Sequence, residues 1–184
     1  LMTLDMLPEG NHGQKMHNGP ENFNKYQTLF HNGFYYQYSR NMLQLNNGDE
    51  TFSEIGQLAG VSNTDWSWAA LFCDFDNDGN KDLFVTNGYA KDFTDMDFIK
   101  YNVDRAVRKR EGKPVDDIKD VLARIPSVKI SNYLFRNNGN NTFTNKTADW
   151  GMNQPDISSG AAYADLNNDG NMDLIISNIN EKAG

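Results

Sequence analysis

Residues 74–82 run Asp-Phe-Asp-Asn-Asp-Gly-Asn-Lys-Asp, "DFDNDGNKD", and place four carboxylates within nine positions. Left to themselves such groups repel one another. Their grouping therefore asks for a cause, and residues 165–173, "DLNNDGNMD", repeat it almost position for position. At the same offset of 91, residues 41–89 align with 132–180 without a gap, and 19 of the 49 positions are identical. That is well beyond chance and marks a duplicated structural unit. The shared positions include Asn41/Asn132, Leu43/Leu134, Thr51-Phe52/Thr142-Phe143, Asp65/Asp156, Ser67/Ser158, Leu83/Leu174 and Asn87/Asn178.

The duplicated unit has the pattern of short strands. "NMLQLNNGDETFSEIG" and "NYLFRNNGNNTFTNKT" each carry two β-rich runs around an Asn-Gly-containing turn, which is a hairpin signal. "WSWAALFCD" and "SGAAYAD" then lead into the acidic loops as apolar strands, and "DLFVTN" and "DLIISN" lead out of them. Four strands per unit result. Ala69 and Ala70, and likewise Gly160, Ala161 and Ala162, lie on the strand before each loop. Small side chains there suit the crowded inner rim of a propeller. The expected fold class is therefore mainly β: a partial β-propeller of about two four-stranded blades.

Residues 90–131 break this pattern. Met96, Ile99, Val103, Ala106 and Val107 recur at helical spacing, with Thr94 as the expected N-cap and Gly112 as the stop. Ile118, Val121, Leu122 and Ile125 repeat the pattern up to Pro126. A two-helix insertion on the propeller rim is the expectation. Its basic cluster of Arg105, Arg108, Lys109, Arg110 and Lys113 offers a face for an acidic partner or simply a solvated helix surface. Within residues 1–40, "LMTLDML" matches a strand leaving an acidic loop, and "PENFNKYQTLFHNG" suggests one short helix.

These readings divide the chain in three. Residues 1–89 form the end of one blade and the first half of the next, with the first loop at 74–82. Residues 90–131 are the insertion. Residues 132–184 complete that blade and begin another, with the second loop at 165–173. Such a set of blades does not close a ring, so it is expected to pair with the remaining blades of a longer chain or with a neighbouring copy.

Composition limits the partners. Twenty-five acids against 17 bases give a formal charge of −8, which disfavours nucleic acid and anionic membranes and favours cations. No apolar run is long enough for a membrane span. Cys73 is the single cysteine, so no internal disulfide is possible.

The acidic loops have the composition of a calcium cage. Calcium takes six to eight oxygens from carboxylates, carbonyls and water. Asp74, Asp76 and Asp78 occupy loop positions 1, 3 and 5, Gly79 turns the backbone, Asn80 offers its carbonyl, and Asp82 closes the sphere. In the second copy Asp165, Asn167, Asp169, Asn171 (through its carbonyl) and Asp173 take those places around Gly170. Asn167 replaces a carboxylate and is expected to weaken that site modestly. Position 12 is Val85 or Ile176, not the glutamate of an EF-hand. Zinc is excluded by the scattered His12, His17 and His31 and the lone Cys73. Two Ca2+ sites are expected, with a structural role: an ion replaces carboxylate repulsion with attraction.

The "DxDxDGxxD" loop, its small-residue lead strand and the following "DLFVTN" resemble the FG-GAP/VCBS repeats of integrin-α-like β-propellers. The "LFRNNGNNTFT" run is similar to the subgroup holding cartilage acidic protein-like and UnbV/ASPIC-containing proteins, among secreted or surface-anchored proteins of Bacteroidetes-type bacteria. The resemblance covers about 40–89 and 130–180. It implies a seven-bladed propeller, a calcium ion in each complete loop through the same ten residues, and an extracellular, cell-surface or periplasmic setting. The blade number, the missing UnbV/ASPIC segment and Asn167 depart from it.

Two functions follow. The first is a non-enzymatic binding or adhesion module for a protein or glycan on the cell exterior. No Gly-rich phosphate loop or nucleophile motif is present, and Trp66 and Trp68 share a strand face suited to sugar stacking or to packing between blades. The second is part of a polysaccharide lyase or hydrolase. Its candidate acids, Asp92, Asp95 and Asp97, lie at a helix start, where they equally favour the helix dipole.

Overall fold

The computed structural model describes residues 1–17, 23–35, 37–180 and 184. In chain order its elements are β1 (Met2–Thr3), α1 (Asn11–His17), α2 (Phe23–His31), β2 (Met42–Asn46), β3 (Phe52–Glu54) and α3 (Gly56–Ala59). Next come β4 (Ser67–Cys73), β5 (Asp82–Asn87), α4 (Met96–Arg110), α5 (Ile118–Ala123) and β6 (Ile130–Ser131). The last are β7 (Tyr133–Asn137), β8 (Phe143–Asn145), β9 (Pro155–Asp156), β10 (Ser158–Ala164) and β11 (Asp173–Asn178). Contacts divide the chain into two units, one of Leu1–Glu9, Ser39–Tyr89 and Lys129–Gly184, the other of Gly10–Tyr38 and Ala90–Val128.

The first unit is mainly β. Its centre is an antiparallel four-stranded sheet in the order β4-β5-β7-β8, the meander of a propeller blade. Every residue of β5 is buried. Side chains alternate across a strand, so Leu83 and Val85 join Leu43, Val61, Tyr133 and Phe135 in one core. Phe84 joins Leu134 and Ile176 in another. Apolar residues on both faces explain why "DLFVTN" shows no polar alternation. One face meets the side chains of β1 and β2, and the other meets those of β11, as stacked blades require.

The offset of 91 holds in strand register. Gln44 pairs with Glu54 and Phe135 with Asn145, while Leu45 pairs with Ser53 and Arg136 with Thr144. Met2 lies opposite Leu43 as Phe84 lies opposite Leu134. Ala70 pairs with Val85, and Ala161 with Ile176. Both β4–β5 and β10–β11 carry an irregularity after their first pair. The sequence repeat is therefore out of phase with the sheet: the central sheet takes β4 and β5 from one copy and β7 and β8 from the next.

Buried asparagines fasten these joins. Asn41 Oδ1 accepts from the Asp5 backbone N–H at 2.9 Å, and Asn132 Oδ1 accepts from that of Asn87 at 2.9 Å. Asn41 also donates to Thr64 Oγ1 and to the Val61 carbonyl, and Asn132 to Ser158 Oγ. These bonds satisfy polar groups that would otherwise be costly to bury.

The second unit is helical where described. Its core is Phe98, Val121 and Ile125, with Tyr101 packed against them. The α4 N-cap is Asp95, whose carboxylate accepts from Phe98 N–H at 2.9 Å, rather than the expected Thr94. Asp92 fixes the preceding turn, accepting from the backbone N–H groups of Thr94 and Asp95. The helix ends at Arg110, and Gly112 follows with φ 69°. Along its expected apolar stripe, Met96, Ile99, Val103 and Val107 are exposed. Pro20 to Asn22, at the start of the expected N-terminal helix, lie outside the described residues. No helix among the described residues is long and apolar enough to cross a membrane.

Candidate metal centre

The loop between β4 and β5 folds around its own carboxylates. Asp78 N–H donates to Asp74 Oδ1 at 3.1 Å and to Asp76 Oδ1 at 3.3 Å. Gly79 N–H donates to Asp74 Oδ2 at 2.9 Å, and Asn80 N–H to Asp78 Oδ1 at 2.8 Å. This turn needs left-handed backbone at Asn77 (φ 58°) and Gly79 (φ 90°), which Asn and Gly adopt at least cost. One carboxylate oxygen from each of Asp74, Asp76 and Asp78 then lies within 4.8 Å of the others. Asp74 is half-buried, and the other two are exposed. Three hard oxygen donors gathered so closely could hold a metal ion, and the donor set suits calcium better than zinc.

The second loop repeats these four backbone hydrogen bonds. Asp169 N–H donates to Asp165 Oδ1 at 3.1 Å and Asn167 Oδ1 at 3.0 Å. Gly170 N–H reaches Asp165 Oδ2 at 2.9 Å, and Asn171 N–H reaches Asp169 Oδ1 at 2.8 Å. Asn168 and Gly170 supply the same positive φ values, 61° and 89°. With Asn167 in place of an aspartate, its amide donates to Asp169 Oδ2 at 2.9 Å. The loop carries the fold of the first with less charge.

Asp82 stands apart from the triad. It is fully buried, and its Oδ2 accepts from Phe75 N–H at 3.0 Å while its Oδ1 accepts from Asn137 N–H at 2.8 Å. One carboxylate thus closes the loop and ties it to β7. Burial pushes its pKa above the usual aspartate range, against the two backbone hydrogen bonds. Asp173 Oδ2 accepts from Leu166 N–H at 2.9 Å, the equivalent closure of the second loop. Asp78 and Asp169 are held below the usual range, chiefly by the backbone N–H groups of Asn80 and Asn171.

The structure adds a residue that the motif does not contain. Arg136 on β7 reaches the first loop, with Nε 2.7 Å from Asp76 Oδ2 and a terminal nitrogen 2.8 Å from Asp78 Oδ2. The aligned position in the other copy is Leu45, so the repeat gave no sign of it.

A family model described as FG-GAP-like repeat matches residues 33–85 and 116–176, well over half of the chain. The chain belongs to the FG-GAP-like repeat family. Both acidic loops lie within the matched segments, as do the hairpins β2–β3 and β7–β8 that precede them. No curated protein matches this FG-GAP-like chain. Family membership and the four-stranded meander together make it a propeller-like β module.

Several of the other candidate residues have structural engagements. Asp92 and Asp95 organise the start of α4. In the basic cluster, Arg105 donates to the Asp116 carbonyl at 3.0 Å, and Lys113 pairs with Glu111 at 2.7 Å. Trp66 stacks on Trp68, with ring centres 6.4 Å apart, and lies tilted against Tyr89, at 4.7 Å. Trp68 remains about half exposed, and its indole N–H donates to the Gly88 carbonyl at 2.7 Å.

Proposed function

We propose that this FG-GAP-like chain is a calcium-stabilised propeller segment that serves outside the cell, at its surface or in the periplasm, as a binding or adhesion module for a protein or glycan. The observation that carries the calcium reading is the convergence of Asp74, Asp76 and Asp78 within 4.8 Å. The matching hydrogen bonds of the second loop extend it to a second site. In the first, Asp74, Asp76 and Asp78 would hold the ion, with the Asn80 carbonyl and Asp82 completing the expected donor set. In the second, Asp165, Asn167, Asp169, the Asn171 carbonyl and Asp173 would do so.

Bound calcium would supply positive charge that turns carboxylate repulsion into cross-linking of the β4–β5 and β10–β11 connections. The chain's own residues preorganise the donors through the loop N–H groups and Gly79. The half-exposed Trp68 beside Trp66 supports a partner with a flat apolar face, such as a sugar ring. The net charge of −8 speaks against nucleic acid.

Thermal unfolding with and without a chelator tests the stabilising role. The melting temperature is expected to fall on chelation, and Asp78→Ala is expected to reproduce most of that loss in calcium. Identical melting curves with calcium and with chelator would contradict it.

A further inference from the structure

We propose that Arg136 is a built-in counter-ion of the first acidic loop, which stabilises the metal-free blade and sets how much calcium the loop requires. The inference rests on the calcium reading of that loop. Its own basis is the two-pronged contact of one guanidinium with two of the three converging carboxylates, at 2.7 and 2.8 Å. Two nitrogens on two different carboxylates fix the side chain more firmly than a single ion pair would.

The same positive charge has opposite effects in the two states. Without metal, Asp74, Asp76 and Asp78 would repel one another within 4.8 Å, and Arg136 offsets that repulsion. With a divalent cation among the same oxygens, the guanidinium becomes a like charge close to it. It either weakens the ion's hold or must leave its carboxylates. By linkage, whatever Arg136 contributes to the metal-free state and loses on binding appears as weaker calcium affinity.

The contact also spans the sheet. Arg136 is on β7, and its neighbour Asn137 donates its backbone N–H to Asp82 and its side-chain amide to the Lys81 carbonyl, at 2.8 and 2.9 Å. The charge state of the loop is therefore felt by a strand some sixty residues away in sequence. Among the described residues, no lysine or arginine pairs with the second loop, so the device belongs to the first.

The test is calorimetric titration of calcium chloride into the full chain carrying Asp169→Ala, which confines binding to the first loop. Adding Arg136→Gln is expected to tighten calcium binding about fivefold, the scale of a partly exposed ion pair. It is also expected to lower the melting temperature in chelator and to enlarge the rise that calcium produces. Arg136→Lys keeps the charge without the fork and is expected to lie between the two, which preserves the test if the glutamine variant folds poorly without metal. Equal or weaker calcium binding by both variants overturns the proposal. Absence of binding in every protein, including the one with Arg136 intact, overturns the calcium site itself and the proposal with it.

Discussion

Asn77 and Asn171 join the two acidic loops: the Asn77 side-chain amide donates to Asn171 Oδ1 at 2.7 Å, across 94 positions of sequence. The loops are therefore neighbours on one edge of adjacent sheets, in keeping with the packing of β10 beside β4. The Asn171 side chain is engaged by the other loop, which leaves its main-chain carbonyl as the oxygen to offer an ion. Asn171→Ala is accordingly expected to cost about 1 kcal/mol or less in stability, the net worth of one hydrogen bond. Denaturant unfolding measures that cost. Calcium titration of the same variant is expected to give an unchanged number of ions per chain, whereas Asp169→Ala is expected to remove one.

Asp82 combines complete burial with two backbone hydrogen bonds, so the carboxylate shape matters beyond its charge. Asp82→Asn keeps one acceptor oxygen but turns an amide towards a backbone N–H. The expected loss is roughly 1–3 kcal/mol, the penalty for an unsatisfied buried donor. Asp82→Ala leaves two N–H groups unanswered and is expected to cost more. Urea unfolding in chelator separates this effect from any contribution of the ion.

Glu54 gives the metal-free fold an acid sensitivity of its own. Its carboxylate pairs with Arg40 at 2.8 Å and accepts from the Gly56 and Leu43 backbone N–H groups at 2.7 and 3.2 Å. The Arg40 hydrogen bond foremost holds its pKa below the usual glutamate range. A depressed folded-state pKa means the unfolded chain binds the proton more readily. The stabilisation is thus complete above about pH 4.5 and is lost as pH falls through the lower folded value. Glu54→Gln is expected to flatten that part of the stability–pH curve in chelator; a curve parallel to that of the unmodified protein would contradict the assignment.

Local chemistry made much of this legible in sequence. The Asp/Asn/Gly spacing of 74–82 announced a turn at Gly79, to which the structure adds left-handed backbone at Asn77, and the second copy identified the loop as a repeat rather than an isolated acidic patch. The apolar runs of β5 and β11 gave the strands on either side. Interactions carried by position in space were not legible. Arg136 meets Asp76 across 60 residues, from a position occupied by Leu45 in the other copy. The N-cap of α4 shifted from Thr94 to Asp95 because adjacent short polar residues compete for one role. The four-residue helix α3 was too short to leave a periodicity. The α4 stripe was a true helical signal, but spacing alone could not decide which side the unit's core would take, and Phe98 took that place.

Calcium binding by Asp74, Asp76 and Asp78 is the central claim, and calorimetric titration of calcium chloride into the chelator-stripped full chain tests it most directly. Two ions per chain are expected, with Asp78→Ala abolishing one and leaving the other. Absence of binding up to about 10 mM calcium, beyond the range of weak extracellular sites, would contradict it.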